Sequence, residues 1–276
     1  SAVLLLLFVM MCCGIGGAAQ AEEPKSCPGS SKGTLFDWRD VNKTGGERVG
    51  SLRVPSLVEV NGGVFAVAEA QCTKNEECSF TGIASELLEL NDPNPKHLET
   101  ANLKTEVLDK FPYEEQPFEF EIPDYDGFES EKKVRVSRPT TVVNGSDIYM
   151  LAGNYSWTYG FTKEDAEPPE NQWGLLLVTG NVSENEGNGK RIYWNDTYGI
   201  PCTLFNQHRG SLTRLIGSGR SGVKMNDGTL VFPVEGTKKT TKAGTENDEK
   251  TVSLIIYSLD AVNWKLSKEM SADGCS

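Results

Sequence analysis

The sequence predicts an all-β fold built from a repeated sheet unit. Three observations carry that expectation. The apolar runs are short and rich in β-branched residues, and helix-forming patterns are scarce. Glycine is abundant, at 28 of 276 residues, which suits many tight turns. The third observation is a repeat: turn signals at Gly62, Gly145 and Gly228 stand 83 residues apart.

Residues 1–21 come first. They form an apolar run that weakens into small residues and ends in Ala19-Gln20-Ala21, ahead of charged Glu22-Glu23-Pro24-Lys25. That is the pattern of a cleaved secretory signal peptide. The run lacks a basic leading segment and begins at Ser1, so it reads as cut short. A transmembrane helix is the competing reading, disfavoured because the strongly apolar part is too short. Residues 22–50 are polar and show no apolar period, so an extended lead-in is expected, with Leu35, Phe36 and Trp38 available to pack.

Residues 51–276 carry the repeat. The first unit reads SLRVPSLVEVNGGVFAVAEAQC, Ser51 to Cys72. Two apolar runs flank Asn61-Gly62, a dipeptide that accepts the positive φ of a tight hairpin turn. The second unit reads PTTVVNG and then IYMLA, with its turn at Asn144-Gly145. The third reads GVKMNDG and then LVFPV, with its turn at Asn226-Asp227-Gly228. A further strand is expected after each hairpin, over 83–90, 173–182 and 251–257. Sheets repeated in this way make a propeller; hairpins spaced by coincidence in a sandwich are the alternative. Between units lie polar insertions. Residues 91–133 hold a possible short helix over 98–108 and then an acidic aromatic stretch. Residues 235–250 read as an exposed loop.

The formal net charge of −12 and the lack of a basic stripe argue against nucleic acid as a partner. They also disfavour unassisted binding to anionic membranes. Of seven cysteines, Cys12 and Cys13 lie in the leading run. The remaining five are an odd number, so one lacks a partner within the chain. Cys72 and Cys78 bracket a short segment and are candidates to close a small loop. With only His97 and His208 and no ligand spacing, neither a metal nor a cofactor is expected. Five N-x-S/T sequons, at Asn42, Asn144, Asn154, Asn181 and Asn195, fit a glycosylated chain that is secreted or displayed at the cell surface.

Motifs then narrow the class. Ser258-Leu-Asp260-Ala-Val-Asn-Trp264 follows an apolar strand and resembles the Asp box of sialidase propeller blades, one residue short and without its glycine. In that motif the Asp accepts hydrogen bonds from turn amides and the Trp packs beneath. Leu52-Arg53-Val54-Pro55 resembles the sialidase x-R-[IVL]-P motif. The continuation to Cys72, the run Gly222 to Val234, and Ser271 to Ser276 are similar to trypanosomal trans-sialidases and their surface-glycoprotein relatives. The resemblance implies a sialidase-like six-bladed β-propeller of which about the first three blades are present. Three blades cannot close such a ring, so the third unit should keep an exposed apolar flank prone to aggregation.

The resemblance also implies site residues. Arg53 matches the first of three arginines that grip a sialic acid carboxylate, a task suited to a planar, permanently charged fork. Glu69 and Gln71 stand where active relatives carry Asp and Arg. Glu77 falls at the general-acid position, 24 residues after Arg53. Arg138 replaces a pocket Asp, and Glu235 replaces a substrate-contacting Gln. Trp157, Tyr159 and Phe161 are candidates for an aromatic wall. The tyrosine nucleophile, its glutamate and the other two arginines would follow Ser276. A catalytically inactive surface glycoprotein that binds host glycans, sialylated or other, or host surface proteins is therefore expected. The alternative is a truncated copy of an active exo-α-sialidase or trans-sialidase. Any membrane attachment would come through an anchor outside this sequence.

Overall fold

The structure, a computed structural model, describes residues 38–74, 78–90, 97–100, 103–108, 134–156, 173–185, 189–200, 204, 208, 212–240 and 248–272. The leading run 1–21, Glu77, and the aromatics Trp157, Tyr159 and Phe161 lie outside them.

Among the described residues, fourteen strands form three antiparallel sheets. The first contains β1 (Trp38–Asp40), β2 (Glu47–Val60), β3 (Gly63–Lys74), β4 (Cys78–Leu87) and β5 (Lys104–Leu108), in the order β1-β5-β4-β3-β2. The second is a simple meander of β6 (Val134–Asn144), β7 (Asp147–Ser156), β8 (Trp173–Asn185) and β9 (Gly189–Ile200). The third contains β10 (Leu212–Gly217), β12 (Leu230–Thr240), β13 (Asp248–Ser258) and β14 (Lys265–Leu266), with the short β11 (Val223–Lys224) also beside β12.

Each repeated turn closes its hairpin, though not identically. Val60 pairs with Gly63, so Asn61 and Gly62 are the two turn residues, at φ 50° and 71°. This is the double positive φ that Asn-Gly accommodates best. Asn144 instead pairs with Asp147, which makes Gly145 the first turn residue, at φ 68°.

Packing decides between propeller and sandwich. In a two-sheet sandwich each sheet buries one face. Here the second sheet buries both. Ile148, Met150, Ala152, Leu176 and Val178 join Val58, Phe65, Val67 and Ile83 of the first sheet in one core. Leu151, Leu175, Leu177 and Ile200 join Leu215, Phe232, Val234, Leu254 and Ile256 of the third sheet in another. That explains why Leu175-Leu176-Leu177-Val178 is continuously apolar: alternate residues serve opposite cores, and all four are buried. Each such fully buried side chain contributes about 1.5–3 kcal/mol relative to exposure. The sheets stack as consecutive blades. On the third, Ile255, Val223 and Met225 remain exposed.

Several expectations are revised. Residues 104–108 form β5, not part of a helix, because Thr105 and Val107 favour extended backbone and are buried in this strand. The lead-in contributes structure: β1 pairs with β5, and Trp38 packs at 6.5 Å from Trp194 of the second blade. The second and third expected strands run longer, the first is shifted to Cys78–Leu87 and stops short of 88–90, and β12 and β13 extend into the predicted 235–250 loop. Cys72 does not close a loop with Cys78. The strand register sets Cys72 opposite Phe80, and its free thiol lies in the apolar core of the first blade. Burial pushes that thiol up to about 11. Asn154 is a poor glycan acceptor, since it is buried and its Nδ2 donates to Leu215 O at 2.9 Å and Gly174 O at 3.4 Å. Asn42, Asn181 and Asn195 are exposed, and Asn144 is half-buried at a strand end.

The shortened Asp box is structurally complete. Asp260 Oδ1 accepts from the Val262 and Asn263 amides at 2.9 and 2.7 Å, and Ser258 Oγ donates to it at 3.0 Å. These donors, the Asn263 amide first, hold the carboxyl well below the usual range. Ala261 takes φ 57° without a glycine, and Trp264 packs on Phe232 at 5.6 Å.

Candidate functional site

The innermost strands of the three blades kink at one level. Val54 has φ 48° and precedes Pro55; Arg138 has φ 47° and precedes Pro139; Gly219 has φ 75°. The ladder slips at each of the first two, between Arg53 and Ser56 and between Val136 and Thr140. Positive φ at a β-branched residue is a strained conformation that the surroundings must hold, and such strain collects at functional sites. The three kinks meet. A Cβ on Gly219 would come 2.1 Å from Val54 Cγ1 and 3.4 Å from Arg138 Cβ, so only glycine fits.

Around this meeting point the structure gathers four of the expected site residues. Alternation along β3 puts Glu69 and Gln71 on one face, with Ala68 and Ala70 on the other. Gln71 Nε2 donates to Glu69 Oε1 at 2.6 Å. The Arg138 amide, freed from the ladder by the kink, donates to Glu69 Oε2 at 2.9 Å. The Arg138 guanidinium grips Glu235 bidentately, at 2.6 Å and 2.8 Å, and reaches Ser218 O at 3.4 Å. Arg138 on the second blade thus ties Glu69 of the first to Glu235 of the third. The fork geometry makes the Glu235 contact a strong, charge-assisted one.

Arg53 stands beside this group. Its strand partner is Glu69, and its side chain is exposed. The substitutions read as separate departures are therefore coupled. Arg138 and Glu235, which the resemblance reads as two departures, form one ion pair. Thr140 and Asn154 support the arrangement without having been expected there. Thr140 Oγ1 donates to Arg138 O at 3.1 Å and accepts from Gly219 N at 2.9 Å. Asn154 ties the second blade to Leu215 of the third. Its N-x-S pattern pointed to a glycan because the same amide serves both uses.

A second charged cluster lies between β9 of the second blade and β1 and β5 of the first. Arg191 is buried; its Nη1 donates to Asp40 Oδ2 at 3.1 Å, its Nη2 pairs with Asp40 Oδ1, and Glu106 Oε1 lies 3.7 Å away. The guanidinium stacks 4.7 Å over the Tyr193 ring. Burial pushes the Glu106 carboxyl up to about 7, against the pull of Arg191. No sequence motif marks this cluster. Among the described residues, no group of three or more His, Cys, Asp or Glu could hold a metal ion. No helix among them is long and apolar enough to cross a membrane.

Consecutive blades with an intact Asp box define a sialidase-type propeller. Residues 54–276 match the family model described as BNR repeat-like domain. The chain belongs to that family, and within it to the sialidase and trans-sialidase superfamily. It is 34% identical over 152 residues to "Sialidase 85-1.1" of Trypanosoma cruzi, covering 51% of this chain and 18% of that protein. It is 30% identical over 152 residues to a second Trypanosoma cruzi "Sialidase", covering 51% of this chain and 12% of that one. The chain thus spans less than a fifth of either relative. Among solved structures, Trypanosoma rangeli sialidase in complex with sialic acid superimposes with a TM-score of 0.51 at 21% identity, over 91% of this chain and 37% of that one. Trypanosoma rangeli sialidase without a named ligand gives 0.51 at 22%, over 90% and 37%. These structures bear on the fold: the chain corresponds to part of a propeller.

Proposed function

We propose that this chain belongs to a cell-surface glycoprotein that uses a sialidase-type propeller to bind host glycans or proteins without turning them over. The observation that carries the reading is the Arg138–Glu235 ion pair. It fills two positions that the family resemblance gives to substrate contact, and it satisfies them internally. Glu69 is likewise engaged, by Gln71 and by the Arg138 amide. Arg53 is the exposed cation of the group, and a single solvent-exposed ion pair is worth only about 0–1 kcal/mol. That is far less than a three-arginine clamp would give. Glycans on Asn42, Asn181 and Asn195 and display outside the cell complete the proposal.

A second reading is supported by the two Trypanosoma cruzi relatives named sialidase. On it, the full-length protein hydrolyses or transfers terminal sialic acid, and this chain is a part of it. A fluorogenic sialoside assay on the full-length protein separates the two. The binding reading expects no turnover above the buffer rate. Turnover that disappears in Arg53→Ala would overturn it and establish the second. Coding sequence continuing past Ser276 into a Glu, two arginines and a tyrosine at family spacing would favour the enzyme.

A further inference from the structure

At the meeting point of the blades the charge of the Arg138 guanidinium is neutralised by one residue, Glu235. We propose that Glu235 is a specificity-determining residue: by sequestering the Arg138 guanidinium it keeps this face from taking a carboxylate-bearing sugar. The inference rests on the reading that this is the ligand face.

Three observations support it. The Arg138 side chain is 31% exposed, so the guanidinium lies at the surface of the cluster and not beneath it. Its two outward-reaching nitrogens are both committed to Glu235, at 2.6 and 2.8 Å, with Ser218 O as the remaining contact of Nη2. Its backbone is held independently of Glu235. The Glu69 carboxylate holds its amide, Thr140 Oγ1 holds its carbonyl, and the Val54–Gly219 contact closes the kink around it. Removing the charge of Glu235 should therefore leave Arg138 in place but unneutralised. It would then share a face with Arg53, whose neighbours Val54 and Glu69 both touch the same kink. A carboxylate facing two guanidiniums meets bidentate donors, whereas one facing the paired cluster meets Arg53 and the like charge of Glu235.

The test measures binding of 3′-sialyllactose, with lactose as the uncharged control, to the full chain and to Glu235→Gln and Arg138→Gln/Glu235→Gln. Glutamine keeps the volume and a hydrogen-bonding oxygen for Arg138, and circular dichroism confirms that each variant keeps its β content. The expected result is at least tenfold tighter 3′-sialyllactose binding in Glu235→Gln than in the unaltered chain. The gain should vanish in the double variant and fall with added salt, while lactose binding stays constant. If Glu235→Gln binds 3′-sialyllactose no better than the unaltered chain, while that chain binds either sugar, the inference fails and the ligand face stands. If the double variant keeps the gain, Arg138 is not its source and the inference also fails. If no protein in the series binds either sugar, both the inference and the proposed glycan-binding reading fall.

Discussion

Two arginines of the second blade are each set between two carboxylates of neighbouring blades, with opposite environments. Arg138 lies where the inner strands meet, half-exposed, joined to Glu235 of the third blade and, through its backbone, to Glu69 of the first. Arg191 lies on the fourth strand of its blade, buried, joined only to the first blade through Asp40 and Glu106. The inner cluster pairs its guanidinium with Glu235 through short bonds and satisfies Glu69 with neutral donors. The outer cluster leaves Glu106 3.7 Å from its cation in a dry setting, and that carboxyl responds by moving toward neutrality. Equal charge counts therefore do not predict equal stability. Desolvation sets the difference.

The largest effect should come from Arg191→Leu. Asp40 is mostly exposed and can be rehydrated, but Glu106 is buried and would lose its cation. Removing one partner of a buried pair costs about 3–5 kcal/mol. Protonation of Glu106 relieves part of that, so about 3 kcal/mol at neutral pH is expected. Urea unfolding of the full chain would measure it. A change below about 1 kcal/mol would show that the cluster is wetter than its burial implies.

Next in size is the pH dependence that the outer cluster brings. The Glu106 carboxyl titrates at about 7 in the folded chain, above its ordinary 4.5. Between those values the folded state holds more protons than the unfolded, so stability falls as pH rises. The contribution is fully present below 4.5 and is lost through about 7, at most about 3 kcal/mol. Glu47 acts in the opposite sense. Arg39 holds its carboxyl below the usual range with bonds of 2.8 and 2.9 Å, so its contribution is present above 4.5 and lost as pH falls. Melting temperature followed from pH 4 to 8 should therefore decline on the neutral side. Glu106→Gln, which mimics the protonated side chain, should flatten that decline and leave the acid side intact. A decline that persists in Glu106→Gln would assign it to another group.

The two clusters also differ in how far the sequence disclosed them. The resemblance pointed to Arg53, Glu69, Gln71, Arg138 and Glu235 because each falls in or near one of its motifs. The 83-residue turn spacing likewise marks three hairpins. What the sequence did not disclose was pairing. Arg138 and Glu235 stand 97 residues apart, and each alone reads as a departure from a pattern. Their complementarity appears only when β6 and β12 are packed. Arg191 and Asp40 are 151 residues apart, with no motif at either end. Strand β5 was hidden for a related reason. Five residues are too few to show a period, and what makes Lys104–Leu108 a strand is the edge of β4 on one side and β1 on the other.

The smallest effect is expected at the inner pair, and it sharpens the contrast most. Arg138 and Glu235 keep 31% and 17% side-chain exposure, so solvent screens much of their attraction despite the short bonds. A double-mutant cycle with Arg138→Gln and Glu235→Gln should give a coupling energy of about 1 kcal/mol at low ionic strength, roughly halved in molar salt. Either single variant should destabilise the chain less than Arg191→Leu, because water can reach the charge left behind. The strained φ of Arg138 does not depend on Glu235, since Glu69, Thr140 and the Gly219 contact hold it. A coupling of 3 kcal/mol or more, insensitive to salt, would mean that the pair is as dry as the outer cluster. The inner arginine would then be a structural brace between blades, and Glu235→Gln would unfold this face instead of exposing a second guanidinium on it.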